Sequence, residues 1–277
     1  DHIGLGSRTR GGGQIHNGAD DNASGTMVLL ELARRFGART EPPARRLVFV
    51  AFSAEEKGLL GSAHYVNNPP FPLESTLAMV NYDMVGRLKD NQLYLNGVGT
   101  AEPFSSWLAQ DNSRSGFSLQ EIPGGKGPSD HASFCREGIP VVHFFTGLHA
   151  EYHRPGDDFE LLNVDGMCRL CDLSEAFIDR LLQHPGRLDF IDAKGPSMPP
   201  RERQPERPRV WFGIRTDTTH DGPGFAIAEV MAGSPAEKGG ARVGDVLVRA
   251  GGREIADLGS FQRFLADKTA GDRIDVV

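Results

Sequence analysis

Glu55 and Glu56 stand side by side after an apolar run, Arg46-Leu47-Val48-Phe49-Val50-Ala51-Phe52-Ser53-Ala54, with Lys57-Gly58 following at once. Two adjacent carboxylates repel each other, and taking either out of water is costly unless a cation is near. A metal ion resolves the conflict: one glutamate ligates it, and its neighbour stays free to move a proton. Taken alone, the pair reads more plainly as solvated residues at a strand end. Three further segments change the balance. Asp20 and Asp21 sit in Asn17-Gly18-Ala19-Asp20-Asp21-Asn22-Ala23-Ser24-Gly25, directly before a helical pattern, where acids also serve as simple caps. Asp83 ends the apolar run Leu77-Ala78-Met79-Val80-Asn81-Tyr82. His149 and His153 lie in His149-Ala150-Glu151-Tyr152-His153-Arg154-Pro155-Gly156-Asp157-Asp158. Each segment is weak by itself. Together they put acids and imidazoles at strand ends, where open α/β sheets build their sites.

The elements that must position these groups alternate in type, as in an α/β sheet. Residues 26–37 carry apolar side chains at helical intervals and stop at Gly37. Residues 46–53 read as a buried strand, and a short helix over 61–67 ends at Pro69-Pro70. Two more buried strands are expected over 77–83 and 139–145, and a helix over 164–182 closes the unit. The pattern predicts a mixed, mostly parallel sheet flanked by helices. Residues 185–207 lose apolar periodicity and interleave prolines with Arg201, Arg203 and Arg207, which reads as a semi-extended linker. A smaller β-rich unit with Gly/Asp turns occupies 208–277.

Composition removes several classes of function. With 277 residues, 39% hydrophobic and 24% charged, the chain can bury a substantial core. A formal net charge of −7 with no basic run argues against a nucleic-acid surface. No apolar stretch approaches the ~20 residues that span a bilayer. Cys135, Cys168 and Cys171 are too few and wrongly spaced for a disulfide framework, and Cys168 and Cys171 are expected on one buried helix face.

The motifs Asp1-His2-Ile3-Gly4, Gly18 to Gly25, Phe52-Ser53-Ala54-Glu55-Glu56, Asn81-Tyr82-Asp83-Met84, Ser129-Asp130-His131-Ala132-Ser133-Phe134 and Tyr152-His153-Arg154-Pro155 resemble the zinc-dependent aminopeptidases of the aminopeptidase Y and bacterial leucyl aminopeptidase type. The resemblance covers residues 1–184 and implies a di-zinc exopeptidase acting on peptides with a free amino terminus. It gives Asp21 the role of the carboxylate bridging two zinc ions, and Glu56 and His153 the remaining protein ligands of one of them. It makes Asp83 a ligand of the other, Glu55 the general base, and Asp1 an aspartate that orients a histidine ligand. Asp130 and His131 become supporting neighbours of the site. The family's remaining histidine ligand sits two residues before the position of Asp1, so the second zinc shell is expected to be incomplete in this chain and the domain to be cut at its start. An extracytoplasmic setting, periplasmic or secreted, is likewise implied by the family. Two alternatives stay open: a single-zinc glutaminyl cyclase-like enzyme using Asp21, Glu56 and His153, and a catalytically dead binding protein on the same scaffold.

Residues 208–277 resemble a PDZ domain of the protease-associated kind through Val210-Trp211-Phe212-Gly213-Ile214, Gly233-Ser234-Pro235 and Val243-Gly244-Asp245-Val246-Leu247. Such a groove takes a C-terminal peptide by strand addition. Trp211, Phe212, Gly213 and Ile214 are the expected carboxylate-binding loop, and the domain is expected to be cut at its far end.

Overall fold

The computed structural model describes residues 3–5, 14–195, 210–217, 220, 222–256, 258–266, 268–269 and 271–277. The chain divides into two compact units, residues 1–200 and 201–277.

In the first unit, helix α1 (Gly25–Gly37) buries Val28, Leu32 and Phe36 at four-residue intervals, the stripe that the apolar spacing predicts. Two arginines in its last turn, Arg34 and Arg35, suit the negative end of the helix dipole. A short α2 (Leu60–Asn67) follows the Glu55-Glu56 turn. The long α5 (Val164–Gln183) buries Leu170, Cys171, Ser174, Phe177, Ile178 and Leu181. Its start is capped by Asn163, whose side chain accepts the Gly166 N–H at 2.8 Å. Cys168 and Cys171 do not share a buried face: Cys171 is buried and Cys168 is exposed. Three residues advance a helix by about 300°, and the remaining 60° carries Cys168 past the edge of the stripe.

The sheet contains β1 (Met79–Tyr82), β2 (Gln92–Asn96), β3 (Ser118–Ile122) and β4 (Val141–Phe145) in the order β1-β4-β2-β3. The β1/β4 and β2/β3 pairs are parallel and β4/β2 is antiparallel, so the sheet is mixed and mostly parallel. Every residue of β4 is buried, as its continuous apolar run requires of a central strand. Register sets Asn81 opposite His143 and Tyr82 opposite Phe144. Two helices that the periodicity did not single out, α3 (Phe104–Ser115) and α4 (His131–Arg136), complete the unit.

The expected strand over 46–53 is a correction. The segment has no ladder partner among the described residues, and Val48 and Phe49 are 47% and 37% exposed. A cleft of about 490 Å³ separates it from β1, lined by Leu47, Phe49, Phe52, Met79, Val80 and Tyr82. Apolar composition fits a segment to a sheet, but a strand exists only where another backbone comes within pairing distance.

The expected linker also begins later than its composition indicates. Leu188 is buried in the main core, and the Ile191 N–H donates to the Thr100 carbonyl at 2.9 Å. Apolar anchors among the prolines dock this stretch; residues 196–209 lie outside the described residues.

The second unit pairs β5 (Ile214–Asp217), β6 (Phe225–Val230) and β7 (Val246–Leu247) antiparallel, beside a β8 (Arg249–Ala250) and β9 (Arg253–Glu254) hairpin. Helices α6 (Pro235–Lys238) and α7 (Leu258–Ala266) accompany them. Phe225, Leu247, Ala250, Ile255, Phe261 and Phe264 form its core.

Candidate metal centre

The centre is built where the start of α1 meets the end of β1. Gly25 permits that meeting: a Cβ there would lie 2.3 Å from the Tyr82 carbonyl oxygen and 2.4 Å from Asn22 Oδ1. Asn22 then stitches the two segments together. Its Nδ2 donates to the Tyr82 carbonyl at 2.9 Å, and its Oδ1 accepts the N–H groups of Gly25 and Met84 at 3.0 and 3.2 Å. Asp21 and Asp83, neighbours of these residues, are thereby brought to one place. Three non-glycine residues at the centre hold left-handed backbone: Ala54 (φ 58°) before Glu55, Met84 (φ 53°) after Asp83, and His153 (φ 57°) itself. Such conformations cost about 1 kcal/mol or more each and persist only where surrounding contacts over-determine them.

His153 Nε2 lies 3.1 Å from Asp21 Oδ2 and 3.0 Å from Glu56 Oε1. One ligand atom from each of Asp21, Glu56 and His153 falls within 4.8 Å of the others, across 132 residues of sequence. A tetrahedral zinc shell with bonds of about 2.05 Å has edges of about 3.3 Å, so two carboxylates and one imidazole at this spacing fit that ion. Glu55 is not part of this trio; it lines an adjoining small pocket of about 100 Å³ together with Asp21, Asn22, Thr26, Asp83 and Asp130.

The electrostatics reflect crowded carboxylates. Burial, and then the charges of Asp83, Glu56 and Glu55, push the Asp21 carboxyl up to about 9. Burial with Asp83, Glu56 and Asp130 pushes Glu55 up to about 8. Asp83 rises to about 6, again chiefly by burial, against the lowering effect of a hydrogen bond from Ser129. Ser129 Oγ donates to Asp83 Oδ2 at 2.6 Å and accepts from Asn81 Nδ2 at 2.8 Å; Asp83 Oδ1 is buried without a hydrogen-bond partner. Carboxyls pushed up this far make a set that a divalent cation would relieve.

Of the residues singled out in the sequence, Asp21, Glu56 and His153 converge, and Glu55 and Asp83 share the adjoining pocket with Asp21. Asp130 lines that pocket too, and burial raises its carboxyl. His131 lies beside it in sequence but turns inward: it is 0% exposed and stacks on His143 with ring centroids 4.5 Å apart. Burial and the neighbouring imidazole hold His131 below the usual histidine range. Asp1 lies outside the described residues. In the second unit, Trp211 and Phe212 precede β5, Gly213 has φ 84°, and Ile214 opens the strand. Asn22, Ser129 and the Asp20–Asp157 contacts were not singled out. Their only signal was position inside segments already notable for other residues, because each acts through a partner at least 46 residues away.

Fold and site together define an α/β domain in which loops bring Asp21, Glu56 and His153 together, followed by a small β-rich module. The chain belongs to peptidase family M28, which residues 1–178 match, and residues 227–277 match the PDZ domain. It is similar to aminopeptidase YwaD of Bacillus subtilis, 35% identical over 173 residues, covering 58% of this chain and 37% of that one. Leupeptin-inactivating enzyme 1 of Streptomyces exfoliatus is 34% identical over 132 residues, covering 47% of this chain and 29% of that one. Among solved structures, the zinc aminopeptidase BSAP from Bacillus subtilis superposes with a TM-score of 0.54 at 31% identity, over 64% of this chain and 46% of that one. The LapA aminopeptidase of Legionella pneumophila gives 0.56 at 28% identity, over 62% and 48%. The chain therefore spans less than half the length of each of these four relatives.

Proposed function

We propose that this chain carries the catalytic centre of a zinc-dependent aminopeptidase that removes the first residue of peptides with a free amino terminus. The observation that carries the reading is the convergence of Asp21, Glu56 and His153 beside a second, non-converging glutamate. Relatives named as aminopeptidases, one of them a zinc aminopeptidase, support the same reading. Asp21, Glu56 and His153 would hold one zinc; Asp21, as a bridge, and Asp83 would supply ligands to a second. Bound zinc supplies a Lewis acid that acidifies water and polarises a peptide carbonyl.

The residues of the chain do the rest. Glu55 takes a proton from the attacking water at its carboxylate and returns it to the departing amine. Ser129 holds the Asp83 carboxylate from behind, so that its second oxygen stays turned inward. An open groove of about 400 Å³, lined by Glu55, Glu56, Gly127, Pro128, Arg136 and Tyr152, gives a peptide access to Glu55. Tyr152 stacks on His153 at 3.8 Å between ring centroids and limits the imidazole's rotation. In the second unit, the loop Trp211-Phe212-Gly213-Ile214 would receive a peptide carboxylate. An extracytoplasmic setting belongs to the same proposal; no described helix is long and apolar enough to cross a membrane.

Metal analysis after dialysis, with His153→Ala as the control, tests the centre; hydrolysis of an aminoacyl chromogenic amide tests the activity. At least one zinc per chain, lost in the control, is the expected result. A chain that retains no zinc, or a His153→Ala variant that binds it as well as the native chain, would remove the basis for the reading.

A further inference from the structure

A ring of five ionisable side chains adjoins these loops, linked by ion-pair contacts and, between Asp157 and Asp20, by a side-chain-to-backbone hydrogen bond; its Asp157–Arg87 and His149–Asp20 contacts are longer or less well aligned than hydrogen bonds. Asp157 Oδ2 accepts two backbone N–H groups, those of Asp20 and Asp21, both at 3.0 Å. Asp157 Oδ1 faces Arg87 Nη1 at 3.8 Å, and Arg87 Nη2 donates to Glu151 Oε2 at 2.8 Å. The same Glu151 oxygen lies 3.3 Å from His149 Nδ1, and His149 Nε2 lies 3.3 Å from Asp20 Oδ2. Asp20 Oδ1 completes the arrangement by accepting the Gly86 N–H at 2.6 Å. Asp20 and Asp157 are both 0% exposed.

The ring's members come from three loops, and each loop carries one residue of the centre. Asp20 adjoins Asp21, Arg87 follows Asp83 by four positions, and His153 lies between Glu151 and Asp157. None of the five belongs to the convergent ligand triad. The ring, together with the Asn17 Nδ2 to Asp158 Oδ1 hydrogen bond at 2.6 Å, ties the Asp21 loop to the His153 loop through side chains outside the ligand trio. Asp157 is its pivot, because one carboxylate oxygen there orients the peptide groups on both sides of the Asp20 Cα.

We propose that Asp157, oriented by Arg87, is a positioning residue that sets the Asp21-to-His153 spacing and hence the zinc affinity of the centre. The proposal rests on the zinc reading given above. Removal of a partner that orients a metal ligand weakens binding by about 10- to 100-fold.

The test is the zinc dissociation constant of the full chain, read by competition with a chromophoric chelator, beside the thermal midpoint of the metal-free chain. Asp157→Ala should weaken zinc by about 10- to 100-fold and alter the visible spectrum of the cobalt-loaded protein. Asp157→Asn keeps an oxygen for both N–H groups but loses the charge that faces Arg87, so its affinity should fall between those of the native chain and Asp157→Ala. Arg87→Gln should weaken zinc in the same direction as Asp157→Ala. A dissociation constant within about threefold of native in Asp157→Ala and Arg87→Gln overturns the proposal, even if the thermal midpoint falls. Should Asp157→Ala not fold, Asp157→Asn and Arg87→Gln decide it: native affinity in both sinks it. A native chain that binds no zinc sinks the zinc reading and this inference together, whereas zinc bound equally by native and variants sinks this inference alone.

Discussion

Stripping metal from the centre should reverse the usual effect of raising pH. In the folded chain Asp21 holds its proton up to about 9, chiefly because it is buried, whereas in the unfolded chain it titrates near 3.8. Between those values the folded state binds one more proton than the unfolded state, so stability falls as pH rises. The slope is about 1.36 kcal/mol per pH unit for one proton. From pH 6.5 to 8.5, allowing for partial ionisation near 9, Asp21 alone removes about 2.5 kcal/mol. Glu55, raised to about 8, acts in the same direction and adds to this. For a unit of this size that corresponds to a fall of about 5–10 °C in the thermal midpoint. Scanning calorimetry of the chelated chain across this window measures it. The window lies above the depressed carboxylates, and the buried His131 and His143 oppose the fall only near its lower end, by about 1 kcal/mol or less together. Saturating zinc should abolish the fall, because the cation takes the place of the protons, and Asp21→Asn without zinc should shrink it to the part that Glu55 contributes. A chelated native chain whose midpoint stays level or rises between pH 6.5 and 8.5 would refute the argument.

Four further outcomes are expected. Glu55→Gln should leave zinc binding intact and lower turnover of a chromogenic aminoacyl amide by about 10²- to 10⁴-fold, measured on the zinc-loaded protein. His143 is held down to about 3 by burial, so the folded state resists its protonation. Its contribution is present above the unfolded value of 6.5 and is lost as pH falls: between pH 6.5 and 4.5 the native chain should lose about 2.3 kcal/mol of stability more than His143→Gln, read from denaturation curves at each pH. Gly25→Ala would drive a Cβ into the Tyr82 carbonyl, costing about 2–3 kcal/mol and weakening zinc, as calorimetry and chelator competition would show. A fluorescent peptide with a free terminal carboxylate should bind the chain by polarisation, and its amidated counterpart should bind far less; equal binding would speak against the Trp211–Ile214 loop as a carboxylate site.

Much of the scaffold was legible because it depends on local periodicity. The four-residue spacing of Val28, Leu32 and Phe36 specifies α1, and the uninterrupted apolar run of Val141 to Phe145 specifies a central strand. Residues 46–53 show where that logic stops. Their composition suits a strand as well as that of β4 does, yet a ladder needs a second backbone alongside, and no described residue supplies it. Helices α3 and α4 escaped notice for a related reason: α4 buries five successive residues, so its sequence shows no amphipathic stripe to detect.

The chemistry of the centre divides along the same line. Residue type and the motifs around them single out Asp21, Glu55, Glu56, Asp83 and His153 as candidate ligands and proton carriers, since ligand capacity belongs to the side chain. Which of them meet followed only once the chain was folded. His153 reaches Glu56 across 97 positions, and Asp157 reaches the Asp21 amide across 136. Charge and hydrogen-bonding capacity are carried residue by residue, but separation in space is set by loop closure, buried backbone hydrogen bonds and the close approach that Gly25 allows.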